Sequence, residues 1–228
     1  MTLFEAQHIC ASYAAKHEES PLFSDINFTL EEGNIYDLIG FSGSGKSTLL
    51  RVCALMMEKT HGKLFLSGKE STTFAPTAWR RQVCLVPQTP ALVPGTVKDN
   101  LLLPWKLKAY TNKPVPSDNY LLELLARAEL SEIELERNVS QLSGGQVARI
   151  ALLRVFATKP HVLLLDEVDA SLDDDSAHSI GHLTCKLVSE GLTCLRIRHR
   201  NADGFASGTF TLSKEGLSYQ DNKPEGGK

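Results

Sequence analysis

The stretch DLIGFSGSGKSTLL, at residues 37–50, constrains the fold more than any other part of this chain of 228 residues. A short apolar run enters a loop rich in glycine and serine, and residues with a helical pattern follow it. The loop has the spacing G-x-x-x-x-G-K-[ST] in the strand, loop and helix setting that a phosphate-binding loop requires. Its glycines allow backbone angles that side chains forbid, so that successive N–H groups can surround phosphate oxygens. The stretch therefore predicts an α/β chain that binds a nucleotide.

Individual residues of this loop have expected tasks. Lys46 should reach the β and γ phosphates, and the hydroxyl group of Ser47 should bind Mg²⁺. The helix that follows presents the positive end of its dipole to the same phosphates. The residues predicted to bind the nucleotide in this loop are consecutive: Gly40, Phe41, Ser42, Gly43, Ser44, Gly45, Lys46, Ser47 and Thr48.

Short runs of β-branched and aromatic residues predict strands, and apolar residues at helical spacing predict helices. The predicted strands lie at residues 4–10, 26–30, 35–40, 63–67, 83–86, 162–166, 193–197 and 208–212. The predicted helices lie at residues 46–57, 120–128, 145–157 and 174–189. Early and late strands around a helix-rich middle predict one domain with an inserted helical piece. The predicted boundaries are 1–220 for the domain, 1–87 and 160–220 for its core, about 88–159 for the helical piece and 221–228 for a flexible tail.

Composition and charge exclude several classes of protein. A hydrophobic share of 42% is ordinary for a globular protein, and a net charge of −3 gives no reason to expect binding to nucleic acid. No apolar run approaches the roughly 20 residues of a membrane helix, and the N-terminal segment lacks the pattern of a signal peptide. Five cysteines without a CxxC pair fit reduced thiols. We therefore expect a cytoplasmic protein that reaches a membrane only through a partner.

A pair of carboxylates ends the apolar run in HVLLLDEVDASLD, residues 161–173. Ligands of open α/β sheets bind at the carboxyl ends of the strands, which is where Asp166 and Glu167 should lie. We predict Asp166 as a Mg²⁺ ligand and Glu167 as the base that polarises an attacking water. Such a pair also occurs at helix caps, but the phosphate-binding loop upstream favours the catalytic interpretation.

The sequence LSGGQ, residues 142–146, precedes another predicted helix and offers a second anion site through Ser143 and the free N–H groups of that helix. Because it stands between a phosphate-binding loop and an acidic strand end, this motif resembles the signature of ABC-type ATPases. The resemblance covers nearly the whole chain, with the motifs in the same order. It implies an α/β P-loop ATPase with a mixed sheet, an antiparallel β subdomain and a small inserted helical subdomain.

The same resemblance assigns further site residues. Tyr13 corresponds to an aromatic residue that packs on adenine, Gln88 to a glutamine that senses Mg²⁺ and nucleotide, and His199 to a catalytic histidine at the γ-phosphate. Asp173 ends the loop called the D-loop in that family. Two subunits are implied to enclose two ATP molecules as a head-to-tail homodimer. The signature residues would then act across the dimer: Ser143, Gly144, Gly145 and Gln146.

The surroundings of His199 depart from the family pattern, because RIRHR places arginines on both sides of it. A buried arginine needs a partner, since a buried unpaired charge is strongly destabilising. The strand before the phosphate-binding loop contains an equally unexpected acid, Asp37. In the family these two strands are neighbours, so we predict a buried ion pair of Asp37 with Arg196 or Arg198. The alternative is that the arginines extend to solvent and Asp37 is partly hydrated.

Three metal-binding side chains follow one another on the predicted helix 174–189. His178, His182 and Cys185 lie at positions i, i+4 and i+7, and such a set could hold a soft metal. Histidines on an exposed helix face are more often inert, so that both interpretations stay open at this point.

A single cassette with a short insertion favours the ATPase subunit of a membrane transporter over the soluble ABC machines of DNA repair or translation. The permease would then be a separate integral membrane chain, and this chain would lie on the inner face of the cell membrane. Residues 88–107, QTPALVPGTVKDNLLLPWKL, are similar to small bacterial ATPases of the iron-export (FetA/YbbL) type. That similarity implies export of iron or another metal, and the alternative is another small-solute system such as phosphate transport.

Overall fold

The computed structural model describes residues 1–12, 21–198 and 200–222. Two of the predicted site residues, Tyr13 and His199, lie outside the described residues, as does the segment 223–228. Within the described part, the chain forms an α/β fold built on two sheets. No helix in that part has the length and hydropathy needed to cross a membrane.

Ten strands and six helices lie along the described part of the chain. The strands are β1 (Thr2–Ser12), β2 (Pro21–Glu31), β3 (Ile35–Ile39), β4 (His61–Leu66), β5 (Lys69–Glu70), β6 (Val83–Val86), β7 (Val162–Asp166), β8 (Thr193–Ile197), β9 (Gly208–Ser213) and β10 (Gly216–Asp221). The helices are α1 (Lys46–Cys53), α2 (Pro76–Arg80), α3 (Val97–Leu101), α4 (Asp118–Arg127), α5 (Gly144–Phe156) and α6 (Asp174–Ser189). Short 3₁₀ turns lie at Ser71–Thr73, Leu103–Lys106, Lys108–Tyr110 and Val139–Gln141.

The larger sheet has the strand order β10-β9-β3-β8-β7-β6, and its strands from β9 to β6 run parallel. Strand β10 pairs antiparallel with β9, so the sheet is mixed, as predicted. The second sheet, in the order β2-β1-β4-β5, is antiparallel. Because the parallel strands point the same way, the loops that leave their carboxyl ends meet at one edge of the sheet.

Two apolar clusters pack on opposite faces of the larger sheet. Successive residues of β7 alternate between them, with Val162 and Leu164 in the first cluster and Leu163 and Leu165 in the second. The first cluster joins the larger sheet to the antiparallel sheet and α1, and the second joins it to α3, α4, α5 and α6. Strand β7 is buried along its whole length, as expected for a parallel strand covered on both faces.

Several elements differ from the prediction: β1 and β2 are longer, and α2, α3, β5 and β10 were not predicted. Helix α1 stops at Cys53 rather than at residue 57, because Leu55 has a left-handed φ of 53° and the Met56 amide donates to the Arg51 carbonyl. Strand β10 is not evident from the sequence, since it is short, mostly exposed and has no continuous apolar run. Asp221, predicted to belong to a flexible tail, is part of this strand and pairs with β9.

A buried ion pair joins the two central strands β3 and β8. Asp37 lies directly opposite Arg196 in the parallel register, with 2.6 Å between its Oδ1 and the Arg196 Nε. The side chains of Arg196 and Asp37 are only 5% and 8% exposed. The predicted pair is confirmed with Arg196 as the partner, whereas Arg198 binds Asp203 instead.

A second carboxylate supports the buried arginine. Nη2 of Arg196 donates to Oδ1 of Asp203 at 2.7 Å. Burial by itself would lower the pKa of the Arg196 guanidinium, but Asp203 and Asp37 outweigh burial and raise that pKa above its ordinary value. Arg196 therefore stays charged inside the protein, held by acids from two separate segments.

Replacing Asp37 by leucine should destabilise the fold, because the buried Arg196 would lose one of its two carboxylate partners. We expect the free energy of unfolding to fall by about 3 kcal/mol, the lower end of the range for a broken buried ion pair, since Asp203 remains. Urea denaturation followed by circular dichroism measures the change. As a control, Glu70→Gln removes the partner of Lys63 in a partly exposed pair and should cost less than about 1 kcal/mol. An Asp37→Leu variant as stable as this control would contradict the role assigned to the buried pair.

Candidate active site

The phosphate-binding loop joins the carboxyl end of β3 to the first residue of α1. Gly45, the N-cap of α1, has a φ of 98°, in the left-handed region that favours glycine. A Cβ atom at this position would lie 2.9 Å from the side chains of Leu22 and Phe23. At Gly40 the φ is 151°, and a Cβ atom would lie 2.3 Å from the carbonyl oxygen of Leu212. These two glycines of the motif therefore stand where a side chain does not fit.

Several polar groups of the loop are suited to a phosphate chain. The side chain of Lys46 folds back over the loop, where its Nζ donates to the carbonyl oxygens of Gly40 at 2.9 Å and Phe41 at 3.1 Å. The Ser44 hydroxyl is buried and has no hydrogen-bond partner among the described residues. No side chain in the described part of the chain caps the N-terminus of α1, so its first N–H groups are available to an anion. The loop therefore fits the triphosphate of a nucleotide.

The acidic pair lies beside this loop, at the carboxyl end of β7. The Ser47 hydroxyl donates to Oδ1 of Asp166 at 2.7 Å and so links α1 to β7. Burial raises the pKa of the Asp166 carboxyl group, and the hydrogen bond from Ser47 opposes this shift. A hydroxyl and a carboxylate are oxygen ligands of the kind that Mg²⁺ prefers. The fold therefore brings together two residues predicted to bind the metal.

Glu167 follows the end of β7 in a strained backbone conformation. Its φ of 53° lies in the left-handed region, which a residue with a side chain keeps only where its surroundings enforce it. Its carboxylate accepts a hydrogen bond from Nε2 of Gln88, with 3.0 Å between Nε2 and Oε2. Gln88 follows β6, the sheet neighbour of β7. Two residues predicted from separate motifs, 79 positions apart, are thus in direct contact.

The LSGGQ segment begins α5 and packs against the first turn of α6. Ser143 is the N-cap of α5: its hydroxyl accepts from the Gln146 amide, and the Gln146 side chain accepts from the Ser143 amide. A Cβ atom on Gly145 would lie 2.5 Å from Oγ of Ser176, so glycine is required at this close approach. Asp173 caps α6 by accepting from the Ser176 amide at 2.8 Å. The signature segment and the D-loop residue therefore meet at the starts of two adjacent helices.

Contacts near the predicted catalytic histidine are not evident from the sequence. Arg198 binds the carboxylate of Asp203. Arg200 binds the carboxylate of Asp174 and the carbonyl oxygen of Leu172. These acids belong to no motif, and the only sequence signal is that Asp203 stands five positions after Arg198.

The structure does not assemble the three-residue metal set considered for α6. His178 and His182 are in contact, with 2.8 Å between their Nε2 atoms, and the ring of Phe205 packs on His182. Cys185 packs against the second apolar cluster instead. Among the residues that the structure describes, no group of three histidine, cysteine or acidic side chains could hold a metal ion. The inert interpretation of this helix face is therefore favoured.

The segment that follows Gln88 contributes to an apolar surface groove of about 520 Å³. Trp105 and Tyr110 pack together in this groove, with ring centroids 5.7 Å apart, and Nε1 of Trp105 donates to the carbonyl oxygen of Pro114. Val115, which also lines it, is 62% exposed. A second groove of about 290 Å³ shares Tyr110 with the first. The two together form a continuous apolar surface that we name the aromatic groove.

Two glycines of the phosphate-binding loop should respond differently to alanine. Gly45→Ala adds both a left-handed alanine and a clash with two side chains, whereas a Cβ atom on Gly43, at a φ of 82°, has no atom within 4 Å. We expect the free energy of unfolding to fall by about 2–4 kcal/mol for Gly45→Ala and by about 1–2 kcal/mol for Gly43→Ala. Urea denaturation of both variants measures the difference, and equal losses would contradict the close packing at Gly45.

Comparison with known proteins shows relatives along most of the chain. A family model described as ABC transporter matches residues 23–170. The probable iron export ATP-binding protein FetA of Escherichia coli (strain K12) is 37% identical over 209 residues, which cover 91% of each chain. The methionine import ATP-binding protein MetN 1 of Pseudomonas fluorescens (strain Pf0-1) is 34% identical over 202 residues. These residues cover 86% of this chain but only 60% of that protein.

A solved structure has the same fold. It is a dimeric ATP-binding cassette in a post-hydrolysis state, bound to ADP and Pi, and it is 25% identical to this chain. The TM-score is 0.82, and the match covers 97% of this chain and 100% of that one. The predicted P-loop fold with its mixed and antiparallel sheets is thereby confirmed. The chain belongs to the ABC transporter family, as an ATPase subunit.

Proposed function

We propose that this chain hydrolyses ATP to power a membrane transporter that exports iron or another metal ion. Membership of the family gives an ABC transporter ATPase, and the cargo and the direction are the proposed part. One observation carries the catalytic role: Ser47 contacts Asp166 and Gln88 contacts Glu167 at the carboxyl ends of neighbouring strands. The similarity to FetA, which extends over 91% of both chains, supports metal export.

ATP would lie on the phosphate-binding loop, residues 40–48. Lys46 would exchange its contacts with the loop carbonyls for the β and γ phosphates, whose negative charge it matches better. The buried Ser44 hydroxyl would gain an acceptor that the described part of the protein does not provide. Tyr13 would pack on the adenine, an assignment that rests on the family resemblance.

Mg²⁺ would be held by Ser47 and Asp166, with Gln88 as a further oxygen ligand, and would supply positive charge at the transferring phosphoryl group. Glu167 would polarise the attacking water and accept its proton as the general base. The hydrogen bond from Gln88 supports this role, because it orients the Glu167 carboxylate. His199 and Lys46 complete the proposed catalytic set, with His199 assigned by resemblance.

We place the signature segment in trans, across a head-to-tail homodimer. Ser143 uses its hydroxyl oxygen as an acceptor within the capping box and keeps its proton to donate to a phosphate of the other subunit. The N–H groups of Gly144 and Gly145 at the start of α5 face an anion favourably because of the helix dipole, whereas Gln146 donates its N–H to Ser143 and shapes the segment. Asp173 would lie at the same interface. The dimeric state of the solved relative with ADP and Pi supports this arrangement.

The aromatic groove is the proposed docking site for a helix of the integral membrane permease. Its lining is mainly apolar with several lysines and arginines among it, and two of its residues, Leu107 and Val115, are 55% and 62% exposed. The segment that forms much of it continues from Gln88, which contacts Glu167, so docking and hydrolysis are linked through one segment. The chain would then lie on the inner face of the cell membrane, with residues 88–159 as a helical subdomain of one domain, residues 1–220.

A second candidate is the ATPase of an importer for a small organic solute, which the similarity to MetN 1 favours. The cargo of a transporter passes through the permease, so no residue of this chain is expected to select it. We place metal export first because the match with FetA spans nearly the full length of both chains. The match with MetN 1 covers only 60% of that protein.

Glu167→Gln should trap the ATP-bound dimer and keep the permease attached. We expect hydrolysis to fall at least about 100-fold, because the variant lacks the general base but keeps the residues that bind ATP. The tagged variant is purified with ATP and Mg²⁺ from detergent-solubilised membranes of its own host. The predicted result is a multi-span membrane protein in stoichiometric amount.

Lys46→Ala is the matched control. It should lose ATP binding and therefore should not form the ATP-bound dimer with a second copy of this chain. Recovery of a soluble protein, ribosomes or DNA with Glu167→Gln, in place of a membrane protein, would contradict the transporter role. The cargo is tested in cells that lack this chain. If the transporter exports iron, the iron content of these cells should rise. Unchanged iron together with reduced methionine uptake would favour the importer.

A further inference from the structure

Three arginines, Arg196, Arg198 and Arg200, occupy alternate positions at the end of β8 and in the segment after it. Arg196 binds two acids inside the fold. Arg198 and Arg200 instead reach the loop of residues 168–173, which begins after Glu167 and leads into α6. Their contacts fall at opposite ends of this loop.

Arg198 contacts the beginning of the loop. Its side chain is 10% exposed, and its Nη1 binds the Asp203 carboxylate, which also accepts from Nη2 of Arg196 at 2.7 Å. Nε of Arg198 lies 3.9 Å from Oδ2 of Asp169, two residues after Glu167. This is a charge contact and not a hydrogen bond, because Nε of Arg198 has no hydrogen-bond partner among the described residues. Asp203 therefore holds two arginines at once and aligns Arg198 with the start of the loop.

Arg200 contacts the end of the loop. Its Nη2 donates to the carbonyl oxygen of Leu172, and its Nη1 binds the Asp174 carboxylate. The Asp174 side chain is 97% exposed, so water screens this ion pair and its contribution is small. The contact with Leu172 is made to the backbone and therefore restrains the position of the loop itself.

The loop needs restraint because it directly follows a strained residue. Glu167 has a φ of 53°, a conformation that persists only where the surrounding structure determines it. Gln88 acts on the Glu167 side chain, whereas the two arginines act on the residues that follow it. Loss of an arginine contact would therefore displace the Glu167 carboxylate without removing a group that binds ATP.

We infer that Arg198 and Arg200 are positioning residues for ATP hydrolysis, which clamp both ends of the 168–173 loop and thereby hold Glu167 in place. The inference rests on the proposed role of Glu167 as general base. The clamp is separable from folding, because the buried Arg196 keeps both of its carboxylate partners when Arg200 is replaced. Since the acid partner of Arg200 is exposed, removing Arg200 leaves no buried charge unpaired.

The kinetics of Arg200→Ala test the inference. Because a misplaced catalytic group slows the chemical step while substrate binding is kept, we expect kcat to fall about tenfold and KM to change less than about twofold. The unfolding temperature should match that of the wild type. Arg200→Lys should recover part of the rate, since one ammonium group can still donate to the Leu172 carbonyl.

Asp174→Asn is the matched control, because it removes the ion pair and keeps the Leu172 contact. Its kcat should stay within about twofold of the wild type. A wild-type kcat in Arg200→Ala, or an equal loss in Asp174→Asn, would overturn the clamp.

Asp169→Asn is a second variant that decides the question if Arg200→Ala does not fold. It keeps the shape of the side chain and both carboxylate partners of Arg196, but it weakens the charge contact of the loop with Arg198, so kcat should fall with KM unchanged, and an unchanged kcat would overturn the clamp. A wild-type protein without ATP hydrolysis would refute the proposed function and the clamp together. An active wild type with equally active variants would refute the clamp alone.

Discussion

The buried ion pair of Asp37 with Arg196 fixes the register of β3 against β8, in the centre of an otherwise apolar sheet. A shift of β8 by one residue would turn Arg196 to the face of the sheet opposite Asp37 and separate the two charges. Apolar residues of similar volume would stabilise the sheet as well as such a pair does, so we assign the pair a role in specifying the register. Strand β3 leads into the phosphate-binding loop and β8 leads into the segment of Arg198, and the relative position of these two segments therefore depends on the pair.

The parts of the site that could be predicted from the sequence are those with a local cause. Gly40 and Gly45 are needed because the backbone angles and close contacts of the loop exclude other residues, and this need appears in the sequence as a fixed spacing. The ion pair was also predictable, since Asp37 and Arg196 are charged residues in apolar strands that the family resemblance makes neighbours. Strand β7 was predictable because burial on both faces requires a continuous apolar run.

The remaining contacts depend on tertiary structure that no local pattern encodes. The hydrogen bond of Gln88 with Glu167 joins residues 79 positions apart, and it exists because β6 and β7 are neighbours in the sheet. The contact of Arg200 with Leu172 uses a backbone carbonyl, which has no signature in the sequence. Strand β10 was missed because it is short and mostly exposed, so that no apolar run marks it.

A complementation assay tests most directly the central claim, that each ATP site is formed by the phosphate-binding loop of one subunit and the signature segment of another. Lys46→Ala removes the loop lysine and Ser143→Ala removes the signature hydroxyl, so each variant alone should be nearly inactive. In a mixture of the two, a mixed dimer combines the intact loop of one chain with the intact signature segment of the other. The account predicts that the mixture regains part of the wild-type ATPase activity. Absence of recovery at every mixing ratio, with both variants folded and mixed dimers present, would contradict it.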